Sequence, residues 1–451
     1  MSKVSCPESW KVTNLGEIAE WGSGGTPSRK VASYYNGDIP WVKTGDLGPK
    51  LLLEASEFIT EEGLKKSSAK YFPKDSVAIA MYGATIGKTS ILGLDATTNQ
   101  ACAVGIPLEG LTASAFLYYL LRNEKGNFIA KGKGGAQPNI SQTLIKQHEM
   151  ALPSLAEQKA IAEKLDTLLA QVESTKIRLE RIPKILKRFR QSVLAAAVSG
   201  KLTEEWRGET EMIGWREGEL GEFIDKPRYG TSSKSSKSGR VPVLRMGNLQ
   251  DGRLDWEGLV YTSDEDEIKK YRLEYGDVLF NRTNSPELVG KTSIYRGERE
   301  AIYAGYLIKV KCLPSLNPEF LNYQLNSPKA KDYCKSVKSD GVSQSNINAK
   351  KLSAYPLCCP PLEEQEEIVR RVDQLFAYAD TIETLVNNAL ERVNNLTPSI
   401  LAKAFRGELT EQWRKDNPDL ISGENSASAL LEKIKAERAA AKPVKQGRKK
   451  A

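Results

Sequence analysis

A single histidine, His148, stands in the whole sequence, and that scarcity removes several chemistries at once. A metal site built from several imidazoles is excluded, and a Ser-His-Asp relay has one candidate only. His148 falls just ahead of a long helical pattern, where a packing or surface role fits it. The six cysteines, Cys6, Cys102, Cys312, Cys334, Cys358 and Cys359, show no C-x-x-C spacing, and the vicinal pair is awkward for a disulfide. Reduced thiols and no metal are expected. No apolar run approaches the roughly 18 residues of a membrane span, and the opening Met1-Ser-Lys-Val-Ser-Cys-Pro-Glu8 lacks the apolar core of a signal peptide. A cytoplasmic chain that engages no membrane is expected. A dinucleotide-binding G-x-G-x-x-G is missing. Two Gly-Lys-Thr strings, at Gly87 and Gly290, fail as nucleotide-binding P-loops, because the glycine needed five residues earlier is Tyr82 in one and Ser285 in the other.

What the chain does have is length, core and a modest basic excess. Its 451 residues, 40% hydrophobic, leave room for two to four globular domains. With 65 Lys and Arg against 57 Asp and Glu the net charge is +8, which permits a polyanionic partner without requiring one.

The sequence is also written twice. Gly200-Lys-Leu-Thr-Glu-Glu-Trp-Arg207 returns as Gly407-Glu-Leu-Thr-Glu-Gln-Trp-Arg414, an offset of 207 residues. The offset holds backward without a gap: Pro153, Leu155, Glu157, Gln158, Ile161, Asp166 and Leu168 meet Pro360, Leu362, Glu364, Gln365, Ile368, Asp373 and Leu375. A period this long describes two half-proteins related by an approximate two-fold, not a solenoid. Such a pair suits a partner that itself has two halves. Each half opens with a module of mixed β and α character. The modules begin alike at Trp10…Leu15-Gly16-Glu17 and Trp215…Leu220-Gly221-Glu222, share Pro40/Pro242 and Gly45/Gly247, and end at Gln137-x-Asn139-Ile140 and Gln344-x-Asn346-Ile347. Between these anchors they differ almost everywhere. Strands are predicted at 76–81, 277–280 and 306–311, and helices at 113–122 and 318–325.

A long helix follows each module. Ser154 with Glu157 reads as a capping box. Apolar residues then recur four and three apart at Ile161, Leu165, Leu168, Val172, Leu179, Ile182, Leu186, Phe189 and Val193, with Thr175 at the one polar step. The second copy repeats the seam at Ile368, Val372, Leu375, Ala379, Ile382, Val386, Ala389, Val393, Leu396 and Ile400. Each heptad seam spans roughly 48 Å if helical throughout. The obvious partner of one seam is the other; the alternative is that each helix packs separately on its own module. Ile161, Leu165, Leu168, Val172, Ile368, Val372, Leu375 and Ile382 are the expected helix-pairing and subunit-interface residues, with outward charges and the repeated ends docking further subunits. Pro183 lies inside the first seam and should kink or interrupt it near Arg181. A short helix over 428–440 and a basic, disordered end from Lys442 complete the chain.

Candidate ligand-binding side chains are mostly cations on loops. Lys88 and Lys291 place an ammonium beside a glycine turn in both modules. Lys131 and Lys133 flank a glycine in Lys131-Gly-Lys133-Gly-Gly, and Arg228, Lys234, Lys237 and Arg240 lie in a serine-rich loop. Lys43 and Arg245 sit between the shared Pro and Gly anchors. Such residues suit contacts to a phosphate backbone, although each is equally a solvated surface charge. Asn281-Arg282-Thr-Asn284 differs in kind, because its amides and guanidinium can address base edges bidentately.

The duplicated Leu-x-Glu-Gln helix start, the Gly-x-Leu-Thr-Glu-x-Trp-Arg helix end, Gly24-Gly-Thr-Pro27 and the Gln-x-Asn-Ile module endings resemble the specificity subunit of type I restriction-modification enzymes, especially the type IA group. The resemblance covers essentially the whole chain. It implies an α+β fold: two mixed α/β target recognition domains joined by two long helices that form an antiparallel coiled coil with pseudo-two-fold symmetry. The expected boundaries are 1–152 and 208–359 for the recognition domains, 153–207 and 360–414 for the helical spacers, and 415–451 for the tail. It further implies a non-catalytic subunit that reads a bipartite site in double-stranded DNA. Two modification subunits would carry S-adenosylmethionine and methylate adenine at N6, and restriction subunits would supply an ATP- and Mg-dependent translocating endonuclease. No cofactor is expected in this chain, which also lacks the Asn/Asp-Pro-Pro-Tyr/Phe string of amino-methyltransferases. One departure is Lys226-Pro-Arg-Tyr-Gly-Thr231, which replaces Gly-Gly-Thr-Pro in the second module. The rival expectation is a coiled-coil scaffold whose modules bind protein.

Overall fold

The computed structural model describes residues 6–132, 139–208, 212–342 and 344–440. Lys133, Gln137 and the basic end from Lys442 lie outside the described residues. The chain forms two compact units, Met1–Arg178 with Leu390–Ala451 and Leu179–Ala389. The cut falls inside the helices, because each unit holds one module, the start of one long helix and the end of the other.

In the first unit a five-stranded sheet runs in the order Ala19–Ser23, Cys102–Pro107, Val77–Ala80, Thr89–Leu92, Leu51–Leu52. Its middle strands carry side chains buried on both faces, which is why Val77–Ala80 reads as a continuous apolar run, while Thr89 and Ser90 are buried although polar. A second sheet pairs Tyr35–Val42 antiparallel with Glu57–Ile59 and parallel with Ala96–Thr98. A two-stranded ladder, Lys11–Asn14 on Glu149–Leu152, ties the two ends of the module together. The second unit uses the same order, Arg228–Tyr229, Leu307–Val310, Val278–Asn281, Thr292–Ile294, and closes with Arg216–Glu219 on Pro356–Cys359. The predicted module helices form at Ser114–Asn123 and Pro318–Asn326. All six cysteines are free.

The long helices are Leu155–Val198 and Leu362–Phe405, each of 44 residues. Of the kink or interruption expected near Arg181, the interruption does not occur: the first helix runs on through Pro183, and Pro398 lies inside the second in the same way. One lost backbone hydrogen bond is small beside the apolar seam that continues on both sides of it. Ser154 caps the N–H of Glu157 at 3.2 Å, but the capping box is not closed, because the Glu157 carboxylate is engaged elsewhere.

That engagement explains the repeated motifs. Glu157, fully buried, accepts from Trp10 Nε1 at 2.9 Å, Thr410 Oγ1 at 2.7 Å and Arg414 Nη1 at 2.6 Å. In the second unit Glu364 accepts from Trp215 Nε1 at 2.9 Å, Thr203 Oγ1 at 2.7 Å and the Arg207 guanidinium. Thus Leu-x-Glu-Gln and Leu-Thr-Glu-x-Trp-Arg are two sides of one contact, and each helix start binds the end of the other copy. The neighbouring glutamines anchor the modules: Gln158 Oε1 accepts from the Ala113 N–H at 3.0 Å, and Gln365 Oε1 from the Asn317 N–H at 2.7 Å. Asp166 and Asp373 accept the hydroxyls of Tyr119 and Tyr323, which burial and then the carboxylate push well above the ordinary phenol range, so both stay donors.

Within each unit the helix segments run antiparallel. Glu364, Arg371 and Asp380 meet Arg207, the Leu202 carbonyl at 2.9 Å and Arg190 at 2.7 Å, in falling order along the other strand of the pair. Lys164 reaches the Leu409 carbonyl at 2.9 Å in the first unit. Both packing alternatives therefore hold in part. Ile161 and Leu165 are packed between their own module and Leu401, Ala404 and Phe405 of the second helix, and Ile368 and Val372 between theirs and Val193, Leu194 and Ala197. These four positions have no exposed surface, so they cannot also face another subunit. Leu168, Val172, Leu375 and Ile382 are half-buried.

The tail helix, Ala427–Ala440, places Leu430 and Ile434 in the first unit's core, and Arg438 donates to the Ala19 carbonyl at 2.8 Å. Among the described residues no helix is long and apolar enough to cross a membrane.

Candidate nucleic-acid interface

In the first module the Gly24-Gly-Thr-Pro27 loop is held from both sides. A Cβ on Gly24 would fall 1.8 Å from the Thr98 carbonyl oxygen, so only glycine permits that backbone approach. Trp41 Nε1 donates to the Gly25 carbonyl at 2.9 Å and the Tyr35 hydroxyl to that of Pro27 at 2.5 Å. Just beyond the loop, the Arg29 guanidinium stacks 4.4 Å from the Tyr35 ring centroid and 5.0 Å from that of Trp41, and it pairs with Glu57 at 2.7 Å. Lys43 also binds Glu57, at 2.5 Å, so it is not the free cation its position suggested. Arg29 and then Lys43 hold the Glu57 carboxyl below the usual carboxylate range.

Lys88 is exposed and lines a cleft with Arg122 and Lys125. Lys131 is exposed in the last turn of the helix Lys125–Lys131.

The second module reaches the same loop geometry by a different sequence. Gly230 takes the place of Gly24: its Cβ would fall 2.2 Å from the Tyr303 carbonyl oxygen, and the Thr231 N–H donates to that carbonyl at 2.9 Å, as the Gly25 N–H does to Thr98 at 2.9 Å. Arg228 is exposed on the edge strand. Lys234 and Lys237 are exposed and have no partner among the described residues. Arg240 is paired with Glu265, Arg245 donates to the Gly258 carbonyl at 2.9 Å, and Lys291 to Gln250 Oε1 at 2.9 Å.

Asn281 and Arg282, adjacent in sequence, have opposite fates. Asn281 ends a central strand, is fully buried and accepts from the Thr283 N–H at 3.3 Å. It presents no edge to a groove, which corrects the base-reading role expected for it. Arg282 is part-exposed, with its guanidinium 4.7 Å from the Tyr229 ring centroid and Nη1 3.4 Å from the Gly305 carbonyl. Beside it, Tyr229 and Tyr306 are 42% and 51% exposed. Stacking orients a guanidinium and leaves N–H groups in its plane for a bidentate acceptor. Each module thus holds an arginine on an aromatic face beside its glycine loop, Arg29 and Arg282; Arg122 on Tyr118, Arg216 on Phe223 and Arg299 on Trp256 are held likewise elsewhere.

No motif or spacing in the sequence points to Arg29, Tyr35, Trp41, Arg122, Lys125, Tyr229 or Tyr306. An aromatic residue near an arginine in a loop was the available signal, but Arg282 and Tyr229 lie too far apart in the chain to suggest a pair. Among the described residues no group of three or more His, Cys, Asp or Glu is placed to hold a metal ion.

Comparison with known proteins matches residues 7–184 and 212–392 to the type I restriction modification DNA specificity domain. The chain is 40% identical over 464 residues to the type I restriction enzyme EcoKI specificity subunit of Escherichia coli (strain K12), covering 100% of each chain. It is 41% identical over 468 residues to the StySPI specificity subunit of Salmonella potsdam, again covering 100% of each. The fold is similar to the crystal structure of the HsdS subunit from Thermoanaerobacter tengcongensis, with TM-score 0.61 and 20% identity over 90% of this chain and 99% of that one.

Proposed function

The chain belongs to the family of type I restriction-modification DNA specificity subunits, and from that premise we propose how its parts are used. Its function is that of a specificity subunit: it binds DNA and organises the complex, and it is a non-catalytic component. Each module reads one half of a bipartite target, and the two half-sites differ because the side chains on the common framework differ. The observation that carries this reading is the glycine loop common to both modules, at Gly24 and Gly230, with an arginine on an aromatic face beside each: Arg29 over Tyr35 and Trp41, where it also pairs with Glu57, and Arg282 over Tyr229. Two modification subunits, which bring S-adenosylmethionine, methylate adenine N6 within the site, and restriction subunits bring the ATP- and Mg-dependent endonuclease.

Mapping N6-methyladenine in cells with and without this chain tests the reading. Methylated adenines confined to one interrupted motif are expected, and methylation should vanish when one base pair is added to the unread spacer. Methylation without any interrupted consensus would sink the bipartite reading. Purified chain should also bind duplex DNA with a steep negative slope of log affinity on log salt.

A further inference from the structure

The two Gly-Lys-Thr turns share a backbone and differ in what surrounds it. In the first unit Gly87 has φ +74°, and a Cβ there would fall 2.6 Å from Cγ of Lys125. The bare glycine lets the Lys125 stem lie across the turn that carries Lys88. Lys88, Lys125 and Arg122 then line one cleft of about 620 Å³, with Asn123 and, from the second long helix, Thr397 and Leu401 on its walls. No carboxylate lines it among the described residues. The ammonium groups of Lys88 and Lys125 have no hydrogen-bond or ion-pair partner among the described residues, and Arg122 is held by Tyr118, 5.5 Å from the ring centroid and 3.3 Å from the hydroxyl.

The second unit closes the same place. Gly290 has φ +92°, and its Cβ would meet Sγ of Cys334 at 2.7 Å, so a thiol stands where the first unit has Lys125. Lys291 is bound to Gln250. The nearest counterpart of the cleft, about 240 Å³, shares the walls at Asn326, Arg190 and Leu194, which match Asn123, Thr397 and Leu401, but is not lined by Gly290 or Lys291, and it sets Asp251 and Glu383 among Lys187, Arg190 and Lys331. Arg190 is already paired with Asp380 at 2.7 Å and Glu383 at 2.9 Å. Converging cations repel one another unless an anion compensates them. Carboxylates line the cleft of the second unit, and none lines that of the first among the described residues.

We propose that the cleft of the first unit binds a phosphate group through Lys88, Lys125 and Arg122. Backbone phosphates of duplex DNA and the phosphates of a free polyphosphate or nucleotide share this chemistry. The duplex form of the proposal rests on the DNA-binding function; the free-anion form does not.

The test uses the full chain as wild type, as Lys88→Ala/Lys125→Ala and as Lys291→Ala, with melting temperature as a fold control. Inorganic tripolyphosphate is titrated by calorimetry, and duplex affinity is followed against salt. Wild type and Lys291→Ala should bind tripolyphosphate alike, and the double variant should bind about tenfold more weakly or worse. If the natural ligand is the duplex backbone, the double variant also flattens the salt slope by about two, and tripolyphosphate competes with DNA. If it is a free phosphate compound, tripolyphosphate binding falls while the slope is kept. The proposal is overturned if the folded double variant matches wild type in both measurements, or if Lys291→Ala loses as much as it does. Should wild type fail to bind duplex DNA, the DNA-binding reading fails on its own, and the tripolyphosphate titration still decides the cleft.

Discussion

At the scale of single residues, burial separates side chains that look alike in sequence. Asn281 and Arg282 are neighbours with similar base-reading chemistry, yet one faces the sheet interior and the other lies on Tyr229. Arg282→Ala should therefore remove about 1–3 kcal/mol of discrimination at the second module's half-site. Arg282→Lys should not restore it, since an ammonium lacks the planar fork. Competition binding with duplexes altered in one half-site would show this, and equal losses on unrelated DNA would move Arg282 to the phosphate-contacting class. Asn281→Ala should lower the melting temperature with little change in sequence preference. Glu157 shows the same dependence on context. Its carboxylate was legible as part of a helix start, but its three partners come from residue 10 and from residues 410 and 414. Glu157→Ala would leave Arg414 part-buried beside an empty site and should cost about 3–5 kcal/mol by denaturant unfolding. Adding Arg414→Ala should recover part of that loss, and strict additivity would show that the two do not interact.

At the scale of elements, the heptad seam was legible, whereas the degree of burial along it was not. The seam predicts which face turns inward; only the flanking module explains why Leu165 is sealed and Leu168, three residues on, is half-open. Leu165→Asp should consequently abolish folding of the first unit or assembly of the complex, while Leu168→Asp should be milder. Near-ultraviolet circular dichroism and co-purification with the modification subunit would check the order, and a reversed order would mean that the module does not cover the helix start. The helix runs on through Pro183 because the local penalty competes with a seam that continues past it. The strands over 77–80, 278–281 and 307–310 form where apolar β-rich runs predicted them. Their order in the sheets depends on pairings far apart in sequence, which period and propensity do not encode.

At the scale of the whole molecule, the repeat predicts exchange. Each unit needs the Thr and Arg that end the other copy's helix, and both copies carry the same Leu-Thr-Glu-x-Trp-Arg string. A fragment of residues 1–207 should therefore dimerise, with Thr203 and Arg207 of each copy serving Glu157 of the other. The dimer should read an interrupted palindrome built from the first half-site. It should also melt below the full chain, because it lacks the tail helix whose Leu430 and Ile434 complete the first core. Sedimentation equilibrium would show the dimer, and Glu157→Ala should shift it to monomer. A stable monomer from the unaltered fragment would refute the exchange argument.

The sequence by itself determined the duplication, the two long helices, the α+β modules and the family, because these rest on spacing and on motifs contiguous in the chain. The tertiary structure alone decided which repeated residue binds which, that Gly230 replaces Gly24, that Asn281 is sealed and Arg282 is not, and that Lys88 keeps an open cleft while Lys291 is tied down. The physical reason is common to all four. Burial and pairing are set by groups from distant segments brought within about 3 Å, and a pattern read along one segment carries no record of what will pack against it.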